Sequence, residues 1–145
     1  MQASLGILIQ TLVDQANDGR RCAFYISEGD TLHHVAGMSS EYAKCVDDFV
    51  ISPESLACGL AVATGTPVIT RDVLNEPRWR PWTWLGLQFS YRGCWSSPVE
   101  TSAGNLVGSL AMYFAMPREP TSLDLELAAA FTQTAGIIIS SHQSA

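Results

Sequence analysis

Residues 93–100 and 106–116 constrain this chain more than any other part of it. Each reads as a strand, and Ser102-Ala103-Gly104-Asn105 between them has turn chemistry, so the two are predicted to pair antiparallel. Neither alternates apolar with polar residues. In the second, Leu110, Met112 and Phe114 point one way, and Ala111 and Tyr113 the other. A strand that is apolar on both sides belongs in the middle of a sheet with both faces covered. The rest of the chain must therefore supply two covering layers.

The ends supply one of them. Leu5, Leu8, Ile9, Leu12, Val13 and Ala16 recur at helical spacing, and Asn17-Asp18-Gly19 stops that helix. Near the other end, Pro120-Thr121 opens a second helix, with Asp124 three residues after Thr121 in a capping-box arrangement. Leu127, Phe131, Thr134 and Ile138 continue a stripe begun by Leu123, and Ile137 and Ile139 broaden it. A helix apolar on more than one face covers a core and a partner at once, so this one is expected to carry a homodimer contact.

Between these helices, residues 22–26 and 31–36 read as a hairpin around Glu28-Gly29-Asp30. Residues 42–49 and 56–64 read as short helices, and 67–70 as a short strand. Residues 75–91 hold Trp79, Trp82 and Trp84, with Pro77 and Pro81 breaking any long helix, and are predicted to be irregular. Runs of strands with helices at the ends give an α+β fold: a central antiparallel sheet, the terminal helices on one face, loops and short helices on the other. Loops on one side of a rigid sheet are where small-molecule pockets form.

Composition excludes several roles. The 145 residues make a single domain over 1–145, and both ends resemble helix flanks, as in a module taken from a longer chain. The net charge is −6 and no basic run exists, so neither nucleic acid nor an anionic membrane is an expected partner. The N-terminus lacks a basic leader, and residues 106–116 are too short to cross a bilayer; no membrane insertion and a cytoplasmic location are expected. Cys22, Cys45, Cys58 and Cys94 form no C-x-x-C pair and read as reduced, mostly packed thiols. His33 and His34 are adjacent on a strand and face opposite ways, so they cannot share a site; His142 stands alone. No metal and no cofactor are expected, and nothing supports nucleophilic catalysis.

Several segments together resemble a GAF domain. They are Ile51, Pro53, Cys58 and Gly59; Ala63-Thr64-Gly65-Thr66-Pro67-Val68-Ile69; Asp72-Val73 with Asn75-Glu76-Pro77-Arg78-Trp79; and Gly93-Cys94-Trp95-Ser96-Ser97-Pro98-Val99. A Gly-Asn turn, Val107-Gly108, and Arg118-Glu119-Pro120-Thr121 before the last helix complete the set. The likeness spans nearly the whole chain, in order, and is greatest to GAF domains of multidomain bacterial sensors. It implies a profilin- or PAS-like sheet with a ligand pocket opposite the terminal helices.

Register with that family implies that Cys94, Ser96, Ser109, Ala111 and Tyr113 face the pocket, and the lid side is expected to supply Trp79, Trp82, Trp84, Phe89 and Tyr91. The implied function is small-molecule sensing, passed through the terminal helices to a covalently linked output domain. A sensor histidine kinase is the first such output and a cyclic-di-GMP (GGDEF/EAL) protein the alternative. A ligand-free dimerisation module is the bland reading. The free methionine-(R)-sulfoxide reductases built on this fold need a cysteine before the fourth strand, where residues 85–91 have none. Their pocket acids fall at Cys94, Ala111 and Tyr113 here. The bilin, haem and cyclic-nucleotide signatures of the family are likewise missing.

Overall fold

The computed structural model describes residues 1–143. Helix α1 (Gln2–Ala16) leads into the hairpin β1 (Arg21–Glu28) and β2 (Thr31–Gly37). Next come α2 (Ser40–Val46), β3 (Phe49–Val50), α3 (Ala57–Thr64) and β4 (Val68–Thr70). A 3-10 helix over Pro77–Trp82 runs into α4 (Thr83–Phe89), followed by β5 (Gly93–Glu100), β6 (Leu106–Phe114) and α5 (Ser122–Gln143). The strands form a six-stranded sheet in the order β3-β2-β1-β6-β5-β4, and every neighbouring pair is antiparallel.

The α+β architecture is the one expected, with β6 and β1 at its centre. Leu5, Ile9 and Leu12 of α1 and Ala128, Phe131, Ala135 and Ile139 of α5 pack on Phe24, Trp95, Leu110, Met112 and Phe114. On the other face, Tyr42, Val46, Leu56, Val62, Trp79 and Leu85 pack on Ala23, Tyr25, Cys94, Ala111 and Tyr113.

Three expectations are corrected. The predicted helix over 42–49 ends at Val46, because Asp47 turns extended and Phe49–Val50 pairs with Thr31 and Leu32 as β3. The irregular stretch 75–91 is largely helical: Pro77 sits where a missing N–H costs nothing, and Pro81 is accommodated in 3-10 geometry. On α5 the inward stripe is Asp124, Ala128, Phe131, Ala135 and Ile139. Of the four residues expected on the partner-facing stripe, Phe131 is core; Thr134 is exposed, and Leu127 and Ile138 are half-buried.

Small residues face inward on α5 because the helix runs close to the sheet. A Cβ at Gly136 would stand 2.5 Å from the Glu100 carbonyl oxygen. Helix propensity favours alanine over glycine by about 1 kcal/mol. We nevertheless expect Gly136→Ala to lose about 1–3 kcal/mol in denaturant titration, since α5 must lift from β5. Stabilisation by this change would contradict the close approach. By length and composition α5 could also cross a membrane, but here its inward face is packed on the sheet.

The start of α5 is locked by charge. Thr121 Oγ1 accepts from the Asp124 N–H at 3.2 Å, and Asp124 Oδ2 accepts from the Thr121 N–H at 2.9 Å, which completes the capping box. Asp124 also accepts from Arg20 at 2.8 Å and from Arg118 at 3.1 Å, and Asp18 binds both arginines from the end of α1. The two guanidinium groups lie over the Phe114 ring, at 5.1 and 4.8 Å.

Candidate functional site

The face opposite the terminal helices encloses a cavity of about 40 Å³. Tyr25, Leu32 and Tyr113 form its floor with Cys94. Tyr42, Val46, Phe49, Leu56, Ala57, Cys58, Trp79 and Leu85 form its walls. No charged side chain lines it.

Each wall has a local cause. Asp72 anchors the segment that carries Trp79. Its carboxylate accepts from Arg92 at 2.6 and 2.8 Å, from the Asn75 amide at 2.7 Å and from the Leu74 N–H at 3.1 Å. The Arg92 guanidinium holds that carboxyl down at about 2. Asp72 and Asn75 thus keep the turn that starts the 3-10 helix, and Trp79 enters the core with its indole N–H donating to Thr70 Oγ1 at 3.2 Å. Ser90, in the left-handed conformation at φ 59°, ends α4 and turns the chain so that Tyr91 follows inward. Gly86 is needed there: a Cβ would meet the Tyr91 carbonyl and Val73 Cγ2, each at 2.8 Å.

Three tyrosines line the cavity and a fourth, Tyr91, lies beneath it; together they form two hydroxyl pairs. Tyr25 and Tyr113 meet at 2.8 Å, and Tyr42 and Tyr91 at 2.9 Å. Burial pushes all four phenols up, so all stay neutral. The Tyr42 ring stands edge-on to Phe89, Tyr91 and Tyr113.

Two thiols complete the lining. Cys58 is half-buried as a residue, but its sulfur turns inward to Ser96 Oγ at 3.3 Å. Burial pushes the Cys58 thiol up, more than the Ser109 and Ser96 hydroxyls pull it down. Burial pushes Cys94 well up too. Both therefore remain thiols, and it is the thiolate that is nucleophilic. Gly59 follows Cys58 because a Cβ there would run into the Val50 carbonyl.

Of the pocket residues expected from sequence, Trp79, Cys94 and Tyr113 line the cavity. Ala111 and Tyr91 lie in the core beneath it, and Trp82 and Phe89 pack against that core. Ser96 reaches Cys58, and Ser109 donates to the Ser97 carbonyl at 3.2 Å. Trp84 does not belong to the site. On the short α4 it turns outward and is 45% exposed, while Leu85 beside it points in. Sequence reasoning missed Tyr25, Leu32, Tyr42, Val46 and Phe49. The usable signal was Phe24-Tyr25 in β1, since adjacent aromatics on a strand must serve opposite faces.

A family model described as GAF domain matches residues 2–140. The chain belongs to the GAF family. Within it, this domain is 26% identical over 104 residues to a methyl sulfide methyltransferase-associated sensor of Methanosarcina acetivorans. That match covers 72% of this chain but only 10% of the relative's length. Solved structures with the same fold include a domain of a two-component sensor histidine kinase protein from Sinorhizobium meliloti. It is 18% identical, with a TM-score of 0.77 over 97% of this chain and 90% of the other. A type II free methionine-R-sulfoxide reductase from Thermoplasma acidophilum is 16% identical, with a TM-score of 0.76 over 95% and 91%. At these identities the structural likeness speaks for the fold alone.

Proposed function

We propose that this GAF domain is a regulatory sensor that binds a small uncharged, mostly apolar molecule in the cavity under Trp79. The observation that carries this reading is a lining of aromatic and aliphatic groups and neutral thiols with no charged side chain. Phosphorylated ligands would need a counter-charge. Arg71, Arg78 and Arg80 are exposed outside the cavity, and Arg92 is held by Asp72. The sensor-associated relative and the histidine kinase neighbour support a signalling role with a covalently linked output domain. A sulfoxide reductase role lacks support in the cavity, whose two cysteines are both held as thiols. Native mass spectrometry of the purified domain tests the binding reading. A retained neutral molecule, lost when Val46→Phe fills the cavity, is the expected result. Retention by both proteins would place the molecule elsewhere.

The terminal helices are the proposed route to the output domain and the site of a homodimer. Leu123, Leu127, Ala130, Thr134, Ile137 and Ser141 recur at alternating four- and three-residue steps beside the buried stripe. Ile137 is 62% exposed and Leu123 64%. Ile137→Asp is expected to shift sedimentation from dimer toward monomer with the melting temperature nearly unchanged. An unaltered dimer would remove this seam from the account.

A further inference from the structure

A second cluster lies outside the cavity, at the β2–β3 edge of the sheet. Pairing of Leu32 with Phe49 brings the β1–β2 hairpin against the link between α2 and β3. His33 Nδ1 there lies 3.0 Å from Asp48 Oδ1 and 3.5 Å from Asp47 Oδ1. The other ring nitrogen, Nε2, lies 3.3 Å from Glu28 Oε2 and 3.4 Å from Thr31 Oγ1. One imidazole thus has carboxylate oxygens at both nitrogens, and a neutral imidazole carries a single N–H. With Nε2–H directed to Glu28, the Nδ1 lone pair faces two further carboxylates. One ring nitrogen and two carboxylates thus lie together, their ligating atoms all within 4.8 Å of one another.

We propose that His33 Nδ1, Asp47 and Asp48 bind a divalent transition-metal ion of the Zn²⁺ class. One imidazole with two carboxylates suits such borderline ions better than the all-oxygen shells of Ca²⁺ or Mg²⁺. Three protein donors leave a coordination position open to water or a further ligand. The supporting groups that metal ligands require are also in place. Glu28 orients the ring through Nε2, and Asp47 Oδ1 accepts from the His34 N–H at 3.1 Å. Two backbone ties hold the flanks: the Asp48 N–H donates to the Leu32 carbonyl at 2.9 Å and the Ile51 N–H to the Asp30 carbonyl at 2.7 Å. Phe49 follows Asp48 directly and forms part of the cavity wall, with its ring 6.2 Å from that of Trp82. A bound ion therefore fastens one edge of that wall to β2. The site stands whether or not the cavity takes a small molecule.

Calorimetric titration of the 145-residue chain with Zn²⁺ tests this, beside His33→Gln, Asp48→Asn, Glu28→Gln and Cys45→Ser. The last removes the exposed thiol nearest in sequence. The expected result is one ion per chain, with binding weakened at least about tenfold in His33→Gln and Asp48→Asn. Glu28→Gln should weaken it by about 10–100-fold, as for other groups that orient a ligand, and Cys45→Ser should leave it unchanged. All five proteins should keep the same circular dichroism, because the altered side chains are exposed or half-buried. Absence of saturable binding to the unaltered chain overturns the proposal. So does equal binding by His33→Gln and Asp48→Asn, or loss of binding in Cys45→Ser alone.

Discussion

Asp124→Ala is expected to cost about 3–5 kcal/mol of folding stability in urea titration, the loss typical of removing one partner from a buried ion pair. Asp124 is 4% exposed, and three separate demands meet on it. It closes the capping box with Thr121, and it neutralises the 3%-exposed Arg20 together with Arg118. Without it, Arg20 keeps only Asp18 as a carboxylate partner, and α5 loses its first-turn acceptor. A loss below about 1 kcal/mol would mean that the cluster is solvated like a surface ion pair.

The same cluster, together with the separate Asp72–Arg92 pair, makes the fold sensitive to acid. Burial alone would raise the Asp124 carboxyl, but the Thr121 N–H, the Arg20 guanidinium and the Thr121 hydroxyl outweigh it and hold it at about 2, against 3.8 unperturbed. Asp72 is held at about 2 by Arg92, and Asp18 is lowered chiefly by Arg20. Between those values the unfolded chain binds protons that the folded chain does not, so stability falls as pH falls. It is fully present above about pH 4 and is lost on going down through pH 2. The melting temperature of Asp124→Ala should vary less over this interval than that of the parent. Parallel curves would contradict the assignment.

Trp79→Ala is the second large effect, about 3–5 kcal/mol by the usual range for buried tryptophan. Trp79 is 3% exposed, packs edge-on to Tyr91 at 6.1 Å and donates to Thr70. Its removal leaves an apolar slot continuous with the native cavity. Such slots stay dry and accept apolar molecules of matching shape. Indole should therefore raise the melting temperature of Trp79→Ala, with its N–H taking over the bond to Thr70 Oγ1, and should do less for the parent. A variant that loses stability but ignores indole would show that the walls collapse on truncation.

How far the sequence could be read depended on the range of the interactions. The β5–β6 hairpin and its two buried faces were legible because side chains alternate strictly along a strand. The Thr121–Asp124 cap was legible because its partners are three residues apart. The further duties of Asp124 were not, since Arg20 lies 104 positions away. The two faces of α5 could not be told apart from the sequence because apolar residues run nearly all round its far end, and Phe131, read as partner-facing, is core. Ala128, Ala135 and Gly136 face the sheet, which lets the backbones approach, and Leu123 and Ile137 are left outside. In the site, Trp84 was read as a lid residue beside Trp79 and Trp82 but faces outward, while Tyr42, Val46 and Phe49 come from elements too short to show a period.

We propose that the cavity under Trp79 takes an uncharged molecule. Its most direct test is the melting temperature of the domain and of Val46→Phe, measured against size-matched neutral apolar and phosphorylated compounds. Neutral compounds are expected to raise it for the parent alone. A rise produced only by phosphorylated compounds, or an equal rise in both proteins, would contradict it.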